Sequence, residues 1–203
     1  MDNVALMQLI PADEMAPGAI GAIRNKLIDA VVELASRELS LAPSKLVVRD
    51  IRPVEDLTAA ATVGVASTID DWVFTTAATT VTGYIVYATG NMADQRYMCI
   101  FGARDNRMSY GVKQAAATIK AELAQNVSLI RINVGGADKV IWDLAKVQAY
   151  PNKMIGVSPG GVIIPQNTVY TISMYKVNGV ASTLWEVVLE GFVVEPRGRV
   201  VSP

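Results

Sequence analysis

The chain has 203 residues, 51% of them hydrophobic and 18% charged, and its 18 basic residues against 19 acidic ones give a formal charge of -1. That balance excludes the basic footprint of a nucleic-acid binder, and a charged fraction below the roughly 25% of ordinary soluble domains implies apolar surface for a partner to cover. The absence of histidine excludes Ser-His-Asp and Cys-His catalysis and imidazole metal sites, and a single cysteine, Cys99, excludes an intrachain disulfide and a thiolate zinc site.

Residues 1–13 carry no Lys or Arg, so they offer neither a basic arm for a genome nor the positive start of a secretory leader. Their apolar members (Val4, Ala5, Leu6, Met7, Leu9, Ile10) would be costly to leave in water. They predict an arm that either adds a strand to a neighbour or tucks under its own domain. The spacing over residues 17–40 predicts an amphipathic helix: Ile20, Ile23, Leu27, Val31 and Leu34 form one stripe at intervals of three and four. Arg24, Lys26, Asp29, Glu33 and Arg37 supply the wet side, Pro17 suits the first turn, and Ser40, Pro43 and Ser44 end the helix. Such a helix packs on its own sheet or docks on a neighbouring subunit.

From residue 45 the pattern turns to strands, expected at Lys45–Ile51, Thr79–Thr89, Arg96–Gly102, Ser128–Val134 and Val169–Tyr175. Ser182–Glu195 reads as one or two further strands bending at Gly191. Alternation is clearest where Ile130, Ile132 and Val134 oppose Leu129, Arg131 and Asn133, and where Tyr170, Ile172 and Met174 oppose Thr171 and Ser173. Turns are expected at Gly90-Asn91, Asp105-Asn106, Gly135-Gly136, Pro151-Asn152, Pro159-Gly160-Gly161 and Asn178-Gly179, the last as a hairpin. Gly111–Asn126 predicts a second helix through Val112, Ala116, Ile119 and Leu123. Cys99 lies in the apolar run Tyr97–Phe101 and reads as a buried, inert thiol. No run of about 18 apolar residues occurs, so no membrane span is expected.

Catalytic, cofactor and metal sites are each expected to be absent. Gly156-Val157-Ser158-Pro159-Gly160 matches the nucleophile elbow by letter, but the residue after the serine must donate an N–H to the oxyanion hole, and Pro159 has none. Glu186 and Glu190 share a strand face roughly 13 Å apart, too wide for a glycosidase pair. Asp70-Asp71 reads as a solvated loop, with cation binding as the alternative, Asp138 and Asp143 flank a strand, and no phosphate-binding glycine pattern occurs. Trp72, Trp142 and Trp185 sit in apolar contexts that read as core or interface, with a sugar-stacking platform as the alternative. Asn126-Val127-Ser128 is a glycosylation sequon by letter only.

The expected fold is mainly β: a β-sandwich or jelly roll of about eight strands with an N-terminal amphipathic helix and one inserted helix. The chain divides into an arm and helix at 1–44, a strand domain at 45–195 and a C-terminal arm at 196–203. Strand number, turn spacing and the closing run Ser182-Thr183-Leu184-Trp185-Glu186-Val187-Val188-Leu189-Glu190-Gly191-Phe192 give residues 45–195 a resemblance to the single jelly-roll capsid proteins of icosahedral viruses, including those of tailless phages. The resemblance implies a capsid subunit that self-assembles into an icosahedral shell in the virion, formed in the host cytoplasm. Its partners would be further copies and other virion proteins, with genome contact left to another component and no cofactor. The residues expected at subunit contacts are Leu6, Leu9, Ile10, Ile20, Leu27, Val31, Val193, Val194 and Val200. A ligand- or carbohydrate-binding β-sandwich, such as a virion attachment protein, is the alternative. An enzyme using only carboxylates, Lys, Tyr or Ser comes third.

Overall fold

The structure is a computed structural model that describes residues 6–11, 14–58, 68–70, 73–79, 83–105, 127–143, 155–176 and 182–199. The first helix, α1 (Ala19–Leu39), starts behind Gly18 and stops where Ser40 turns left-handed (φ 53°) and returns its N–H to the Ser36 carbonyl. Pro17 therefore lies in the turn before the helix and not in its first turn. A 3-10 turn, Pro43–Lys45, leads into the sheets.

Two short strands precede the helix, β1 (Leu6–Gln8) and β2 (Ile10–Pro11), and β3 (Leu46–Asp50) and a single helical turn, α2 (Pro53–Asp56), follow it. The rest of the described chain is β4 (Thr68–Asp70), β5 (Val73–Thr79), β6 (Gly83–Asn91), β7 (Tyr97–Asp105), β8 (Val127–Val134), β9 (Ala137–Asp143), β10 (Ile155–Ile164), β11 (Val169–Lys176) and β12 (Ser182–Pro196). The protein is thus mainly β, in two sheets. The first runs β1-β9-β8-β11-β6. The second runs β2-β10-β7-β12-β5-β4, with β3 also paired to β12. Among the described residues, every pair is antiparallel except β1 with β9.

Period-two alternation makes one face of each sheet apolar, and those faces share a core. Ile130, Ile132, Val140, Trp142, Ile172 and Met174 come from the first sheet; Met98, Ile100, Val162, Ile164, Leu189 and Val193 come from the second. The second sheet also buries its other face. Tyr97, Cys99, Phe101, Phe192 and Val194 pack there against Leu27, Val31 and Ala35 of α1, flanked by Ile20, Ile23 and Leu34. The predicted helical stripe therefore lies on the chain's own sheet. Burying Leu27 and Val31 contributes about 1.5–3 kcal/mol each. Cys99 is buried between the second sheet and α1, and desolvation pushes its thiol up to about 12.

The N-terminal segment seals the side of both layers. Leu6–Gln8 pair with Ile141–Asp143 of the first sheet, and Ile10 and Pro11 pair with Val157 and Gly156 of the second. Leu9, between the two pairings, is fully buried in the shared core.

Several expectations need correction. The strand expected at Thr79–Thr89 is divided between β5 and β6. Gly90-Asn91 is not a turn: both residues pair with β11, opposite Tyr170 and Val169. The glycine serves a close approach there, since a Cβ would stand 3.0 Å from Thr58 Oγ1. Pro159-Gly160-Gly161 interrupts β10 without reversing the chain, and the register shifts between Val157 and Val162. Asn178-Gly179 lies outside the described residues; the strands on either side of it, β11 and β12, belong to different sheets. Gly135-Gly136 does turn the chain between β8 and β9, both with positive φ. β12 is one strand whose register shifts at Glu190/Gly191. There the chain passes so close to β7 that a Cβ on Gly191 would stand 2.3 Å from the Cys99 carbonyl oxygen. The helix expected at Gly111–Asn126 and the turn at Pro151-Asn152 lie outside the described residues.

Candidate functional site

Two constellations stand out. The first is a ring of four charges where β6 turns into β7. Arg49 (β3) donates from Nη1 to Asp56 Oδ2 and from Nη2 to Asp56 Oδ1, both at 2.7 Å, and from Nε to Glu195 Oε1 at 2.6 Å. Arg96 completes the circuit, with Nε donating to Glu195 Oε2 at 2.9 Å and Nη1 to Asp56 Oδ1 at 3.0 Å. The carboxylate side chains are 0% and 2% exposed and the guanidinium side chains 11% and 19%, so the charges are nearly dry. Hydrogen bonding to Asp56, helped by Glu195 and opposed by desolvation, raises the Arg49 pKa further above its ordinary value. The Arg52 backbone N–H also donates to Asp56 Oδ2, at 2.7 Å.

Each carboxylate oxygen in the ring is already occupied, so the geometry suits fixation more than proton transfer or ligand capture. Two guanidiniums against two carboxylates leave no net charge, which lets the set tolerate burial. No motif marks these residues in the sequence. The signal was an acidic residue, Glu195, directly after Phe192-Val193-Val194 in a strand buried on both faces, and an arginine inside the apolar β3.

The second constellation is the outer face of the first sheet, where the residues alternating with the core point. Tyr84 and Tyr175 meet edge to face, with ring centroids 5.1 Å apart and planes at 79°. The Arg131 guanidinium carbon lies 4.1 Å from the Tyr84 ring centroid. Asp138 stands 3.9 Å from Arg131 Nε and accepts from Asn133 Nδ2 at 3.0 Å. Thr89 and Thr171 share a hydroxyl contact at 3.0 Å. Desolvation raises the Tyr84 phenol pKa, and the Arg131 charge opposes that shift. Tyrosine and arginine in this mixture are the residues on which protein contacts most often turn. The rings are perpendicular and so present no flat platform for a sugar.

Most residues expected at subunit contacts lie inside the chain's own fold. Leu9 and Val193 are in the core between the sheets, and Leu27 and Val31 of α1 meet Val194 of the second sheet in the other cluster, all buried; Ile20 packs at the edge of that second cluster. Leu6 is placed by pairing with Ile141, and Val200 is outside the described residues. Ile10, at 39% exposure, faces solvent, as do Met7, Val54 and Val169. The last two were not anticipated. On α1, the residues Asp29, Val32, Glu33, Ser36 and Arg37, with Pro43, line an open hollow of about 450 Å³.

Ser158 is buried within β10, and Trp142 is buried in the core. Trp72 lies outside the described residues, and Trp185 is placed by pairing with Phe74. Among the described residues, no helix is long and apolar enough to cross a membrane. A comparison with models of known protein families finds no match, and neither does a comparison with the curated proteins.

Proposed function

We propose that this chain is a self-assembling structural subunit with a jelly-roll sandwich fold, of the kind that builds icosahedral capsids. The observation that carries the reading is the order of eight strands. Taking β3, β6, β7, β8, β9, β10, β11 and β12 as first to eighth, the first pairs with the eighth, the second with the seventh, the third with the sixth and the fourth with the fifth. That is one long nested hairpin. The eighth strand also pairs with the third and the seventh with the fourth, as when such a hairpin is rolled into two layers that share a core. Nested antiparallel pairing of eight strands in two sheets supports a jelly roll over other sandwiches.

Assembly is supported by a Tyr- and Arg-bearing outer face on the first sheet and by the exposed apolar residues Met7, Ile10, Val54 and Val169. On this reading the partners are further copies and other virion proteins, another component holds the genome, and the virion is where the protein works. The test is the mass of the purified chain by light scattering behind a sizing column, with electron microscopy of the heaviest fraction. Rings, shells or other regular particles are expected, and a monomer at every concentration would overturn the proposal.

A further inference from the structure

Residues 52–58 cross from one sheet to the other at the end where β6 turns into β7. Towards the second sheet they are tied through the Asp56 side chain, held by Arg49 and Arg96, and through the Glu55 carbonyl, which accepts from Arg96 Nη1 at 3.4 Å. Towards the first sheet they are tied through the backbone. The Thr58 N–H donates to the Tyr170 hydroxyl at 3.1 Å, and the Thr58 carbonyl accepts from the Thr89 N–H at 3.0 Å. Between these ties Leu57 is buried in the shared core. The segment is one helical turn and two extended residues, and its own atoms join no strand ladder.

We propose that residues 52–58 form a strap that opens and closes as a unit over one end of the core, with the charge ring as its catch. Opening breaks a handful of discrete bonds and withdraws the buried side chains of Pro53, Asp56 and Leu57, whereas opening either sheet breaks a ladder, so the strap is released before the sheets. The charge count holds it shut. Closed, two guanidiniums face two carboxylates; with Asp56 withdrawn, they face Glu195 alone. Opening thus turns a sealed, neutral end of the molecule into one with an excess positive charge beside the slot that Leu57 leaves.

Native-state hydrogen exchange of the full chain tests this at both ties. In the unmodified protein the amides of Asp56, Leu57, Thr58 and Thr89 are expected to share one opening constant, distinct from that of the β8 and β11 amides. Asp56→Asn places an amide group where only acceptors fit and is expected to speed those four amides by on the order of 10- to 100-fold, the range for losing a hydrogen bond to a charged group. Tyr170→Phe removes the hydroxyl's part of the tie to the other sheet, leaving the Thr89–Thr58 backbone bond, and is expected to speed the same four amides by a smaller factor, on the order of 10-fold. The β8 and β11 amides keep their rates in both variants. Uniform acceleration through both sheets would overturn the strap, as would unchanged rates at the four amides. Should Asp56→Asn fail to fold, the unmodified protein and Tyr170→Phe decide: four unrelated opening constants, or no response to Tyr170→Phe, overturns the proposal.

Discussion

The two sheets use the same strand geometry and bury it differently. The first packs its inner face into the shared core and shows solvent an outer face of Tyr84, Arg131, Asn133, Asp138, Thr171 and Tyr175. The second is covered on both sides, by the first sheet and by α1, so that consecutive residues of β7 (Tyr97–Phe101) and of β12 (Phe192–Glu195) are all buried. Two-sided burial removes the polar alternate from the sequence and leaves a continuous apolar run. It also leaves no wet side to which a charged group can turn, so Glu195 is held by two arginines at 2.6 and 2.9 Å.

An alanine scan along one strand of each sheet gives the sharpest contrast and the largest effects. In β12, Phe192→Ala empties a site against Phe101, whose ring centroid is 6.4 Å away, and is expected to cost about 3–5 kcal/mol. Its neighbour Val193 is as fully buried on the opposite face, so Val193→Ala is expected to destabilise as well. In β8, Ile130→Ala and Ile132→Ala should each cost about 2–5 kcal/mol, while Arg131→Ala between them costs about 1 kcal/mol or less. Urea unfolding reads the pattern, and a saw-tooth profile along β12 would show that α1 does not cover the second sheet.

Backbone spacing sharpens the same contrast. A Cβ on Gly191 would meet the Cys99 carbonyl oxygen at 2.3 Å and Ile51 Cδ1 at 2.5 Å. Gly191→Ala is therefore expected to cost about 1–3 kcal/mol or more through strain. Gly160, in the interruption of β10, has nothing within 4 Å of its would-be Cβ, and Gly160→Ala should stay within about 0.5 kcal/mol of the parent. Equal effects at the two glycines would mean that β7 and β12 yield where the geometry says they are pinned.

This difference also governs what was legible in the sequence. Strict alternation at Ser128–Val134 and Val169–Tyr175 read directly as half-buried strands, and they lie side by side in the first sheet. The helical stripe from Ile20 to Leu34 was equally plain, because a helix with one wet face keeps its period. The second sheet yielded strands without their order. Nothing in Arg96–Gly102 says which neighbours flank it, and a glycine that eases close approach, such as Gly161 against Cys99 and Leu27, looks like a turn. The ring of Arg49, Asp56, Arg96 and Glu195 was not legible at all, since it joins residues up to 146 positions apart and satisfies no local pattern. The apolar residues expected at subunit contacts were recognised as needing cover, but hydrophobicity does not say whether cover comes from the same chain, and for Leu9, Leu27, Val31, Val193 and Val194 it does.

Alkaline pH probes the doubly covered sheet through Cys99. Burial pushes its thiol up to about 12, whereas an unfolded cysteine titrates near about 8.5. The folded pKa is the higher, so this contribution is fully present below about pH 8.5. It is lost progressively as the pH rises towards 12, by on the order of 1 kcal/mol per pH unit, because only the unfolded chain releases the proton. Burial raises the phenol pKa values of Tyr87, Tyr97 and Tyr170 as well, and these act in the same direction at still higher pH. Unfolding midpoints measured on either side of pH 9 should fall with rising pH, less steeply for Cys99→Ala after correction for its lower starting stability. Native protein should resist thiol reagents until it unfolds.

The smallest expected effect is the most specific to the open face. Arg131 lies across the sheet with its guanidinium 4.1 Å from the Tyr84 ring centroid, and its side chain is 34% exposed. At that exposure a cation–ring contact contributes about 0.5–1 kcal/mol, and the Asp138 charge at 3.9 Å adds little against solvent screening. A double-mutant cycle between Arg131→Met and Tyr84→Leu is expected to return a coupling of about 0.5–1 kcal/mol. The same cycle with Asp138→Asn in place of Tyr84→Leu should return less. Both variants keep the apolar stem over the sheet, so the cycle isolates charge and ring from simple cover. If the coupling to Tyr84 vanished while assembly was weakened by Arg131→Met, the guanidinium would be serving a neighbour and not its own sheet. A coupling retained in monomer and assembly alike would instead mean that the pair stabilises the outer face whether or not a neighbour lies against it.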